Sequence, residues 1–101
     1  MARTTLDELK SRRVGRMTAA ERAEFDTTYA AAKLALSVGE QVRDAREVAG
    51  LSQRALASRM GTSQAAIARL EAGGVGSTLT TLQRVATALQ LEVSVSLRPA
   101  G

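Results

Sequence analysis

The amino-acid sequence predicts an all-α domain finished by one short β-strand, and three observations predict it. Apolar residues recur at steps of three and four through most of the 101-residue chain, the period of helices buried along one stripe. Ser or Thr precedes each such stretch and Gly follows three of the four; these residues supply hydrogen bonds at helix starts and left-handed backbone at helix ends. Only Leu91-Glu92-Val93-Ser94-Val95-Ser96-Leu97 alternates apolar with polar, the period of a half-buried strand.

In chain order, residues 4–17 come first: Leu6 and Leu9 in helical spacing, then Arg12, Arg13, Gly15 and Arg16. They read either as a two-turn helix or as a frayed arm. Thr18-Ala19-Ala20-Glu21 is a capping box and opens a helix. From there the chain is helix-forming through Ala49, with one stripe of Phe25, Tyr29 and Ala32 and another of Leu34, Val38, Val42, Ala45 and Ala49. Gly39 is the weak point, so two helices are expected, about 18–36 and 38–49, the second stopped by Gly50. Ser52 caps a helix to Met60, stopped by Gly61; Ser63 caps another to about Ala72, stopped by Gly73-Gly74. Ser77-Thr78 precede a fourth stripe, Leu79, Leu82, Val85, Ala86 and Leu89, and Pro99 closes the strand. With 45% apolar residues, a chain of this length holds one core burying roughly 60–70% of its unfolded surface. The expected organisation is a helical leader (1–37), a compact head (38–90), a strand (91–98) and a short tail (99–101).

Composition narrows the chemistry. With no Cys and no His, disulfides, thiolate or imidazole zinc sites and imidazole-based catalysis are excluded. No spacing pairs carboxylates in a pocket, so no enzyme, catalytic residue, metal or cofactor is expected. Phe25 and Tyr29 are the only aromatic residues, too few to stack unpaired bases. The N-terminus has no apolar signal region and no long apolar run follows, so no membrane association is expected and the cytoplasm is the expected compartment. The net charge of +4 suggests a polyanionic partner. Its distribution says more: residues 1–50 carry nine basic and eight acidic side chains, residues 51–101 five and two, and between Leu51 and Leu70 the only charges are Arg54, Arg59 and Arg69.

Two short helices joined by Gly61-Thr62-Ser63 make a helix-turn-helix when size requirements are met together. A small side chain is needed at the crossing, and Ala57 supplies it. A left-handed residue is needed in the turn, and Gly61 supplies it. Leu56 and Met60 can then face Ile67 and Leu70. With those turned inward, Gln64, Ala65, Ala68 and Arg69 fall on the opposite face, available to the major groove of duplex DNA.

Gly50-Leu51-Ser52-Gln53, Ala57, Gly61 and the block Ser63-Gln64-Ala65-Ala66-Ile67-Ala68-Arg69-Leu70-Glu71 resemble the Cro/repressor-type, or Xre-like, helix-turn-helix family over about Val38 to Leu89. The resemblance implies a lambda-repressor-like bundle. It also implies that Gln53 touches a phosphate and braces Gln64, that Gln64 reads a base, plausibly adenine, and that Arg69 reaches guanine or a flanking phosphate. Ala65, where the family often has a polar residue, is left with methyl contact. Arg54 and Ser63 would join Gln53 on the phosphates, as would the backbone near Thr78, although Gly73-Gly74-Val75-Gly76 lacks the basic residues that often serve there. Arg46 and Glu71 occupy the positions of a buried structural ion pair.

A lone strand leaves its backbone groups unpaired. Its partner is expected to be the same strand of a second copy about a two-fold axis, or else an extended part of residues 1–17. Leu91, Val93, Val95 and Leu97 would face the helical bodies. A homodimer would also read a palindromic operator with two recognition helices. In the leader, Leu6, Leu9, Phe25 and Tyr29 are candidates for binding a protein, the alternative being a helix that simply packs on the domain. The whole layout resembles HigA-type antitoxins, with a strand also similar to that of HipB. That resemblance implies a bacterial, nucleoid-associated autorepressor that neutralises a co-encoded toxin, commonly a RelE-like ribonuclease; the alternative is a stand-alone Xre-family repressor.

Overall fold

A computed structural model describes Leu6, residues 17–74 and residues 78–100. Among these residues the elements are α1 (Ala19–Val48), α2 (Gln53–Met60), α3 (Gln64–Glu71) and α4 (Leu79–Leu89). Leu6 is helical and half-buried, while Leu9 and Ser77 lie outside the described residues. No helix among those described is long and apolar enough to cross a membrane.

The start signals work as read. The hydroxyls of Thr18, Ser52, Ser63 and Thr78 accept from the backbone N–H of Glu21, Ala55, Ala66 and Thr81 at 3.2, 3.0, 3.1 and 3.1 Å. All four helices end in one motif: the residue beyond a left-handed position donates back five residues, from Leu51 to Arg46, Thr62 to Ala57, Gly74 to Arg69 and Leu91 to Ala86, at 2.8–3.1 Å. The left-handed residue is glycine three times. At the end of α4 it is Gln90, at φ 58°, a conformation that glycine adopts without the steric cost other residues carry.

The expected break near Gly39 is absent, and α1 runs unbroken for 30 residues, about 45 Å. The anticipated boundary between residues 37 and 38 therefore falls inside one helix. Gly39 is buried where α1 passes the end of α3: a Cβ there would sit 2.6 Å from the carbonyl oxygen of Glu71 and 2.7 Å from that of Leu70. The missing side chain serves a close approach between helices, not a helix end.

The core joins Val42 of α1, Leu56 and Ala57 of α2, Ile67 and Leu70 of α3, and Val85 and Leu89 of α4, with Val38, Ala45, Leu51, Met60, Leu82 and Ala88 packed against it. The four residues expected to lock the helix-turn-helix thus share one cluster, and Leu56 and Ile67 are its fully buried members. Arginines clamp α2 and α4 reciprocally. Arg84 of α4 donates to Met60 O at the end of α2 (2.5 Å) and Arg59 of α2 to Ala88 O at the end of α4 (3.4 Å), each placing positive charge where the helix dipole is negative.

The expected strand does not form in this chain. Residues 91–100 are irregular, and Leu91, Val93, Val95 and Leu97 are 51, 37, 69 and 96% exposed. Alternation determines which side chains share a face, but a strand also needs a neighbouring backbone to bond to, and no second strand exists among the described residues. The segment instead lines one side of a groove of about 590 Å³ whose other walls, from α1 and α4, include Leu34, Val38, Leu82 and Val85.

Candidate nucleic-acid interface

The site grows from the turn between α2 and α3. Gly61 (φ 66°) reverses the chain and Ser63 restarts it within two residues. Ile67 and Leu70 are buried, so Gln64, Ala65 and Arg69 lie exposed on the outer face of α3, with Ala68 half-buried beside them.

Behind this face a polar relay crosses three helices. Arg46 of α1 grips Glu71 of α3 with two bonds, Nε to Oε2 at 2.6 Å and Nη2 to Oε1 at 2.9 Å, while its Nη1 donates to Leu51 O at 2.8 Å. Gln53 of α2 donates Nε2 to Glu71 Oε1 at 3.1 Å and accepts at Oε1 from Gln64 Nε2 at 2.8 Å. The direction of every bond follows from chemistry. A carboxylate only accepts, so Gln53 must turn its amino group to Glu71. Its carbonyl then faces Gln64, which must turn its own amino group inward. Gln64 is left with a free carbonyl and one free N–H, the acceptor and donor pair that matches the major-groove edge of adenine.

The relay's charge state is set by its pairing. Burial pushes the Glu71 carboxyl up, but hydrogen bonds from Arg46 and Gln53, together with the positive charges of Arg46 and Arg43, outweigh it and hold the group below the usual carboxylate value. The hydrogen bond to Glu71 raises Arg46 in turn, against the opposing effect of burial. Both groups are charged at neutral pH, and neither side chain is more than 10% exposed. Such a pair specifies a geometry more than it adds stability, because desolvation offsets much of the attraction. Here the geometry specified is the pose of α3.

The remaining expected contacts divide. Arg54 and Arg69 are exposed, with no ion pair among the described residues, and are free to meet phosphates. Arg59, counted from sequence with the cationic group around the turn, is held by the end of α4. Ser63 and Thr78 are exposed, but their hydroxyls accept from helix amides, and the Thr78 hydroxyl also meets Thr81 Oγ1 at 3.0 Å.

The leader candidates are placed differently from expectation. Phe25 and Tyr29 are half-buried, with stacked rings 6.3 Å apart and Lys33 Nζ 5.6 Å from the Tyr29 centroid. The exposed large apolar residues of this part of α1 are instead Leu34 and Leu36. Sequence reading placed Leu34 in the same stripe as Val42; it lies outside the core, exposed on the groove beside α4. Gly39 and Arg84 were also missed as positioning residues. Their partners lie 24 or more residues away, and no local pattern announces them.

A family model described as helix-turn-helix matches residues 42–95, just over half of the chain. No curated protein matches it. The match spans the turn, the relay from Arg46 to Glu71 and the whole of α4, and the chain belongs to the Xre-like helix-turn-helix family of sequence-specific DNA-binding regulators.

Proposed function

We propose that two copies of this chain bind a palindromic operator as an autorepressor, and that the protein is the antitoxin of a co-encoded toxin. The observation that carries the DNA reading is the relay ending at Gln64, which presents a fixed donor and acceptor pair on the exposed face of α3. Gln64 reads adenine in this account, Ala65 and Ala68 offer methyl contact, and Arg69 reaches guanine or a phosphate. Gln53, Arg54 and the starts of α3 and α4 at Ser63 and Thr78 hold the backbone and set register. The antitoxin reading is supported by Leu34 and Leu36, large apolar side chains that α1 leaves exposed. The half-burial of Phe25 and Tyr29 favours the second reading, a stand-alone repressor whose leader only packs on the domain.

The test of the first part is fluorescence anisotropy with a duplex taken from upstream of the protein's own reading frame. Gln64→Ala should reduce discrimination between that duplex and a scrambled one by about 1–3 kcal/mol. Unchanged discrimination removes Gln64 as a reader. The antitoxin part is tested by co-expressing the full chain with the adjacent reading frame. Co-purification with loss of that product's toxicity supports it, and independent elution with toxicity intact leaves the stand-alone repressor.

A further inference from the structure

We propose that residues 92–98 pair with the same residues of a second copy in one antiparallel register, with Val95 facing its own counterpart on the two-fold axis and Glu92 facing Arg98. The inference rests on the two-copy reading above and specifies the contact that joins the copies.

Three observations carry it. First, the backbone groups of residues 92–98 make no hydrogen bond among the described residues, and the apolar side chains at 93, 95 and 97 are exposed, on a segment that itself lines an open groove of mixed polarity. An unpaired, alternating segment is an edge that recruits another strand. Second, the ends of the ladder are defined. The Leu91 N–H is already bonded to Ala86 O at 2.8 Å and Gln90 is left-handed, so the first residue with both backbone groups open is Glu92. Pro99 has no N–H to donate to a ladder. The midpoint of 92–98 is Val95. Third, charge selects the same register. An axis on Ser94 sets Glu92 against Ser96, and one on Ser96 sets Arg98 against Ser94. Only the axis on Val95 sets Glu92 against Arg98, and symmetry does so twice. Axes between residues set apolar against polar positions and expose half the apolar face. In the Val95 register, Val93 meets Leu97 and Ser94 meets Ser96. One face of the ribbon then carries Val93, Val95 and Leu97 from both copies.

Because the chain has no cysteine, single-cysteine variants report the register directly. With about 3.4 Å per residue and about 5 Å between strands, the two Cα atoms at position 95 lie about 5 Å apart. Those at 94 or 96 lie about 8 Å apart, and those at 93 about 14 Å. A disulfide needs roughly 4.4–6.8 Å. In full-length protein under mild oxidation, Val95→Cys should form covalent dimer, Val93→Cys, Ser94→Cys and Ser96→Cys alone should not, and an equimolar mixture of Ser94→Cys with Ser96→Cys should. Glu92→Arg and Arg98→Glu should each weaken the dimer by roughly 2- to 30-fold in sedimentation, and the double exchange should restore it. A protein that sediments as a dimer but cross-links equally at all four positions, or best at one other than 95, overturns the register and leaves the two-copy reading standing. A protein monomeric at every concentration overturns both.

Discussion

Gly39→Ala separates two opposite expectations for one atom group. Within a helix interior, replacing Gly by Ala stabilises by roughly 0.5–1 kcal/mol, because Ala loses less backbone entropy on folding. The packing predicts the reverse. The new methyl would lie 2.6 and 2.7 Å from two backbone carbonyl oxygens, several tenths of an ångström closer than carbon and oxygen tolerate. The obstacles cannot swing aside as a side chain tip can: Leu70 O already accepts from Gly73 N–H at 3.1 Å in the turn that ends α3. Relief requires α1 and α3 to part, at a typical overpacking cost of about 1–3 kcal/mol. Subtracting the propensity gain leaves, at the middle of both ranges, a net loss of about 1 kcal/mol. Urea unfolding followed by circular dichroism should show the midpoint lowered with the slope unchanged, by about 0.7 M for a slope near 1.5 kcal/mol/M. Because the displaced end of α3 carries Glu71, operator affinity should fall as well. A variant as stable as the parent, or more so, refutes the claim that Gly39 is required for the helix approach.

Other outcomes follow from the relay, the caps and the surface charge. Glu71 is held below its ordinary value of 4.5, so the unfolded chain takes up its proton more readily than the folded one; stability from this group is complete above the ordinary value and is lost as pH falls through the folded one. Acid unfolding should show that loss, whereas Glu71→Gln should flatten it while costing about 3–5 kcal/mol at neutral pH by leaving Arg46 buried without its charge partner; an unaltered pH profile in Glu71→Gln argues against the pairing. Gln90→Gly should stabilise by about 0.5–1 kcal/mol in thermal melts, since the position is left-handed and its side chain is exposed; a lowered melting temperature contradicts the cap assignment. Arg54→Ala should weaken operator and scrambled duplex alike and reduce the slope of log affinity against log salt by about 1; a change confined to the operator would make Arg54 a reader of bases.

The residues that were legible and those that were not divide by the range of their interactions. Ser52, Ser63, Gly61 and Gly73 could be read directly because a cap or a left-handed stop is completed within five residues. The outward face of α3 followed from the same local periodicity once Ile67 and Leu70 were assigned inward. The Arg46–Glu71 pair came from the family resemblance, since 25 residues separate its members and neither carries a mark of burial.

Gly39 was misread because a glycine in a helix has the same local appearance whether it ends the helix or admits a neighbour; the carbonyls of α3 decide between these. Leu34 shares a stripe with Val42 yet stands exposed, because periodicity orders side chains around a helix without saying which of its turns are covered. Arg59 counted among the charges around the turn and Arg84 carried no signal, until α2 and α4 brought each to the other's final carbonyls. The Leu91–Leu97 segment is the extreme case. Its alternation states which side chains belong together, yet a ladder is made between backbones, and its partner backbone is absent from the described residues of this chain. The sequence by itself determined the caps at Thr18, Ser52, Ser63 and Thr78, the stops at Gly50, Gly61 and Gly73, and which face of α3 turns outward, because those are local hydrogen bonds and local periodicities. Tertiary structure alone decided how α1 fixes α3, how the relay aims Gln64 and what the last segment still lacks, because each depends on groups brought together from distant parts of the chain.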